Sequence, residues 1–196
     1  MKRPPMRRPG LSTVLAAALA AAAIAVAPAR ASAEDSAESK PAPEASKANV
    51  VENGILHNTA HGFHFPVPVG FDLRASSTAD EIVLSDPRCE ECVLRILVSP
   101  GNTDSLEITA RALKKQVATE PSAHVLDEQK TRVAREAAYT LVKEETPESG
   151  ARILTRYVTF NHGEDKYYFV LREPAARFKD DEDGFEHLLS KLRFEP

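Results

Sequence analysis

Beyond Ala27 the 196-residue sequence has no apolar run long enough to cross a bilayer, which argues against any later transmembrane helix. It has no nucleotide-binding P-loop, no G-x-S-x-G elbow and no dinucleotide fingerprint, so the common local signatures of phosphoryl transfer, α/β-hydrolase and hydride-transfer chemistry are missing. It has no internal repeat, which sets aside solenoids and propellers. It has two cysteines only, Cys89 and Cys92, and neither follows a leader closely enough to carry a bacterial lipid anchor.

What the first third contains is an address. Lys2, Arg3, Arg7 and Arg8 make a positive start, Val14–Ala27 is an unbroken run of 14 apolar residues, Pro28 breaks it, and Ala31-Ser32-Ala33 is a small-residue cleavage signal. Residues 1–33 are therefore expected to be a signal peptide cut before Glu34, giving a periplasmic or secreted protein. Arg7-Arg8 hints at twin-arginine export, but Pro9-Gly10 stands where that signal carries a large apolar residue. The leader holds five of the 25 basic residues and none of the 29 acidic ones, so the remaining chain has a net charge of −9. A chain of that charge is soluble and has no electrostatic pull toward nucleic acid or anionic lipid. Residues 34–50 open with EDSAESKPAPEASKA, charged and rich in Ala, Ser and Pro, and read as a disordered linker. Residues 51–196 are long enough to close one core and read as a single domain.

The most apolar stretch of that domain is Cys92–Ser99, CVLRILVS. Cys92, Leu94, Ile96 and Val98 share one face of a strand and Val93 and Leu97 the other, so this strand is expected inside a sheet. Around it, Phe63, Phe65 and Val67 alternate with His64, Pro66 and Pro68, an edge strand by its prolines or one that frays after Phe65. Glu81–Ser85 is a second strand, forming a hairpin with the central one. Asp104 caps a helix with Glu107 completing a capping box, and Leu106, Ala110, Leu113 and Val117 form its apolar stripe. Four strands follow: Gln129–Val133; Ala137–Val142, apolar on both faces; Arg152–Phe160; and Lys166–Arg172. The last two are joined by a hairpin at Asn161-His162-Gly163-Glu164. Phe185, Leu188, Leu189 and Leu192 make a closing helix, with Asp180–Asp183 placed before its positive end. The order predicts an α+β fold: a mainly antiparallel β-sheet of about six or seven strands with two packed α-helices.

Three clusters offer chemistry. Cys89-x-x-Cys92 has three readings. A redox dithiol wants a helix N-terminus, whereas a strand follows here and Glu90 and Glu91 oppose the thiolate. Metal ligation is a second reading. A structural disulfide is the usual fate of paired exported cysteines, with an entropic gain of ~2 kcal/mol or less from so small a loop. His57, His61 and His64 would share one face of a helix and could hold zinc or copper, alone or with the cysteines. However, Asn58, Thr59 and Gly62 argue against a helix, and no carboxylate makes an H-E-x-x-H site. Asp180–Asp183 lacks the bidentate glutamate of a calcium loop and suits a helix start. His124, His162 and His187 with scattered serines spell no triad, although a hydrolase site could still assemble in space.

Phe63-His64-Phe65-Pro66-Val67-Pro68 followed by Gly70-Phe71 resembles the opening of the PsbP-like and DcrB-like α/β superfamily. The helix after the third strand, the bend at Val133–Ala137, the hairpin about Asn161–Gly163 and the closing Phe185, Leu188-Leu189 and Leu192-Arg193-Phe194 fit the same pattern, from Gly62 to Phe194. The resemblance implies a non-enzymatic binding or assembly module, since members include photosystem accessory proteins, an envelope lipoprotein and a Ran-binding import factor. They share no catalytic motif, so the resemblance transfers no site residue and no cofactor. The expected partner is an unidentified protein or envelope component, met at the sheet face or the Phe63/Phe65 edge by strand addition. The alternative expectation is a periplasmic metal-binding protein using the histidine cluster.

Overall fold

The computed structural model describes residues 48–148 and 150–195. The signal peptide expected over residues 1–33 and residues 34–47 of the expected linker lie outside the described residues. The chain runs β1 (Asn49–Glu52), β2 (Ile55–Asn58), β3 (Phe63–Pro66), β4 (Asp72–Leu73), β5 (Glu81–Ser85), β6 (Val93–Ser99), α1 (Leu106–Ala118), β7 (Ala123–Val133), β8 (Glu136–Glu145), β9 (Ile153–His162), β10 (Asp165–Pro174), α2 (Ala175–Lys191) and β11 (Arg193–Phe194). Asn49 and Val50, read from sequence as the end of the linker, open β1 instead.

The fold is α+β, with the strands divided between two sheets. A seven-stranded sheet has the order β4-β5-β6-β10-β9-β8-β7, and a four-stranded sheet the order β1-β2-β3-β11. All paired neighbours are antiparallel. β6 is interior, between β5 and β10, and its Leu94, Ile96 and Val98, in phase with Cys92 just before it, are buried as the alternation requires. β5 and β6 form the expected hairpin, with Val83 opposite Arg95.

The two faces of the large sheet are covered by different elements. Leu94, Ile96, Val158, Phe160 and Phe169 meet the small sheet's Leu56, Phe63 and Phe65 and the α2 residues Phe178, Phe185 and Leu188 in the main core. On the opposite face, Leu113 and Val117 of α1 pack against Tyr139 and Leu141. This is why β8 is buried on both sides: Ala138 and Thr140 point one way, Tyr139 and Leu141 the other.

Three local expectations change. The helix cap is Ser105, whose hydroxyl accepts from the Ile108 N–H, rather than Asp104. Asp180–Asp183 lie inside α2, because Phe178 extends the apolar stripe two turns earlier and Pro174 supplies the fixed φ at the start. The acids therefore do not serve the helix dipole; Asp181 and Glu182 pair with Arg177 and Arg156. Finally, β3 is no edge. It is flanked by β2 and β11, and Phe63 and Phe65 face the core. Asn53-Gly54, with φ of 50° and 77°, turns β1 into β2 and so builds the added hairpin that covers β3.

Candidate functional site

Period-two alternation in β2 and β3 sends Leu56 and Asn58 inward and His57 and His64 outward. Their rings stack at 5.4 Å between centroids, directly opposed in register. Glu195, just past β11, brings a carboxylate oxygen so that the three side chains have ligand atoms within 4.8 Å of one another. His61 does not join them. It sits in the β2–β3 turn, where its backbone N–H donates to Asn58 Oδ1 and its ring meets Asp80 at 2.7 Å and Asp165 at 3.6 Å. The sequence trio is thus divided, and a strand pair rather than a helix is the physical reason. The cysteines form a second, separate cluster with other partners.

That second cluster is built on the turn from β5 to β6. Cys89 and Cys92 are joined by a disulfide across 5.2 Å between Cα atoms. The turn is closed by the Cys89 N–H donating to Asp86 O and the Cys92 N–H to Cys89 O. Cys92 has no exposed surface, while Cys89 is half-buried. The Asp86 side chain accepts from the Arg88 N–H, from Arg88 Nε and Nη2, and from Arg177 Nη2 at 2.9 Å. The Arg88 bonds hold this carboxyl well below the usual carboxylate range.

Beneath the disulfide lies Glu173, at the end of β10 and fully buried. Neither of its carboxylate oxygens has a hydrogen-bond partner among the described residues. Asp181 Oδ2, buried as an atom, makes no hydrogen bond although Arg177 stands 3.3 Å away. Cys92 Sγ and one oxygen each from Glu173 and Asp181 lie within 4.8 Å of one another. Burial first, then the negative charge of Asp181, pushes the Glu173 carboxyl from 4.5 up to about 8. Glu173 is absent from the sequence-predicted residues, yet a signal exists. It continues the inward phase of Tyr167, Phe169 and Leu171, so period two alone puts a carboxylate on the core face.

A third feature is the free edge of the large sheet. Among the described residues β7 pairs only with β8, and every residue from Leu126 to Arg132 is exposed. A groove of about 570 Å³ runs between α1 and strands β7 and β8, with Leu106, Ala110 and Tyr139 among its lining. Its wall is tied by Glu128, which accepts from the Tyr139 hydroxyl at 2.6 Å and meets Lys114 at 3.0 Å. Those contacts lower the Glu128 pKa, the Tyr139 bond most, while burial and Glu128 raise that of Tyr139. No described helix is long and apolar enough to cross a membrane.

No protein-family model matches the sequence, and no curated protein matches it. Solved structures do match in shape. The chain is similar to cyanobacterial PsbP (CyanoP) from Synechocystis, with a TM-score of 0.52 at 15% identity over 72% of this chain and 91% of that one. It also matches PA94 from Pseudomonas aeruginosa, a protein of unknown function, with a TM-score of 0.48 at 15% identity over 68% and 92% of the two chains. A third match is LpqN of Mycobacterium tuberculosis, involved in cell envelope biogenesis, with a TM-score of 0.48 at 12% identity over 68% and 83%. The likeness is one of fold: with 15% identity and a shared α+β arrangement, the chain has the PsbP-like architecture.

Proposed function

We propose that this chain is an exported, non-enzymatic binding or assembly module whose protein partner adds an extended strand to β7. The observation that carries the reading is the open edge itself. β7 is 11 residues long, has one neighbour, and offers unpaired backbone donors and acceptors along its outer side. Strand addition supplies affinity through those main-chain groups, and the adjoining groove receives alternate side chains of the incoming strand. The edge carries restraints against indiscriminate pairing: a register shift between Val125 and Asp127 and the charges Glu128, Lys130 and Arg132. Export rests on the charged start, apolar run and A-x-A signal of residues 1–33.

The test is site-specific photo-crosslinking in the exporting cell. A crosslinker at Gln129 is expected to capture one discrete partner, and one at Val69, 96% exposed in a loop remote in sequence, is expected to capture none. Lys130→Pro, at a position of the β7–β8 hairpin whose N–H faces away from β8, should abolish the Gln129 adduct without unfolding the protein. Equal capture at both positions, or none at Gln129, refutes the reading.

A further inference from the structure

We propose that Cys89 and Cys92, with Glu173 beneath them, form a thiol–disulfide exchange site that accepts electrons from an external dithiol. This goes beyond the binding reading and does not depend on it. The geometry is asymmetric in the way such a site requires. Cys89 is only partly buried at the turn, whereas Cys92 has no exposed surface. An incoming thiolate therefore attacks Cys89 Sγ, and Cys92 is the leaving group.

The chemistry balances as follows. One thiol of the donor, ionised in water, bonds to Cys89 Sγ; the Cys89–Cys92 bond breaks and its electron pair goes to Cys92 Sγ. That sulfur is enclosed by core residues, where a thiolate is strongly disfavoured. Glu173 holds the proton that neutralises it, and its carboxyl group lies within 4.8 Å of the sulfur, within reach through one water or a small side-chain shift. The donor's second thiol, also ionised in water, then attacks the donor sulfur of the mixed disulfide and displaces Cys89 as a thiolate, which takes a proton from water. The donor leaves oxidised, and both cysteines are reduced. Glu173 recovers its proton from solvent. In the reverse direction its carboxylate takes the Cys92 proton.

The charged groups around Glu173 suit this task. From α2, Asp181 favours the protonated carboxyl and Arg177 opposes it; from the turn after β5, Asp86 adds a further negative charge that Arg88 and Arg177 largely absorb. Glu173 is thereby pushed up to about 8, so at neutral pH it still holds the proton that the departing Cys92 sulfur takes. Glu173 and Asp181 form a carboxyl pair, in which a proton held on Glu173 has the Asp181 carboxylate as its acceptor.

The experiment measures reduction of the folded protein by dithiothreitol from pH 6 to 9, quenched by alkylation and read by mass. The wild-type disulfide is expected to open without unfolding, its rate rising with the dithiothreitol thiolate and then breaking near pH 8. Glu173→Gln is expected to slow opening about a hundredfold at pH 7, the low end of what a positioned acid contributes, and to remove the break. If Glu173→Gln does not fold, Asp181→Asn supplies the test, since loss of its charge should move the break to lower pH. Trapping with glutathione disulfide after reduction should place the adduct on Cys89. An unchanged rate and pH profile in Glu173→Gln, an unshifted break in Asp181→Asn, an adduct on Cys92, or reduction only after unfolding overturns the proposal.

Discussion

Lys166 and Glu173 both have no exposed surface, and the protein treats them differently. Lys166 Nζ donates to Asp104 O at 2.6 Å and to Asn161 Oδ1 at 2.7 Å, joining the loop before α1 to the β9–β10 hairpin. Lys166→Met removes both charge-assisted bonds, whose acceptors sit on exposed Asp104 and half-buried Asn161, so it should cost about 1–3 kcal/mol in urea unfolding; a loss under about half a kcal/mol would show that the bonds are not needed. Glu173 has no such partners, and its folded pKa of about 8 lies above the ordinary 4.5. The folded state then binds more protons than the unfolded state between those values. The stability associated with this group is full below pH 4.5 and lost as pH rises through 8. Glu173→Gln should flatten the fall in melting temperature between pH 5 and 8, and an unchanged slope would place its origin elsewhere.

At the scale of elements, the turns decide how the strands reverse. Ala134 and Arg135 join β7 to β8 with φ of 49° and 74°, a left-handed pair occupied by residues that resist it. Arg135→Gly should raise stability by about 1 kcal/mol, read as a higher melting temperature; destabilisation would mean that the Arg135 side chain is needed there. α1 depends on its cap, and Ser105→Ala should cost about 1 kcal/mol while Asp104→Ala costs less. The reverse order in thermal melts would restore Asp104 as the cap. Much of this level was legible from sequence. The Gly163-Glu164 hairpin, the β5–β6 pair and the α1 stripe follow from turn chemistry and periodicity over a few residues. Asn53-Gly54 between apolar strands was an equally readable hairpin signal.

For the domain formed by the described residues, both sheets and α2 share one core, in which Phe63 meets Tyr167 and Phe194, and Phe65 meets Phe169. Unfolding by urea should therefore be a single transition, coincident by tyrosine fluorescence and far-ultraviolet circular dichroism; two separated transitions would mean that the small sheet opens alone. The sequence by itself determined which face of each strand and helix is apolar, because side-chain direction repeats every 2.0 or 3.6 residues and needs no knowledge of neighbours. Tertiary structure alone decided the neighbours: that β6 lies beside β10, that β3 belongs to a second sheet closed by β11, that His61 turns to Asp80 while His57 meets Glu195, and that Glu173 comes to rest under Cys92. Periodicity fixes a face but not a partner. These contacts join segments up to some 140 residues apart, and they are set by how the apolar faces close on one another.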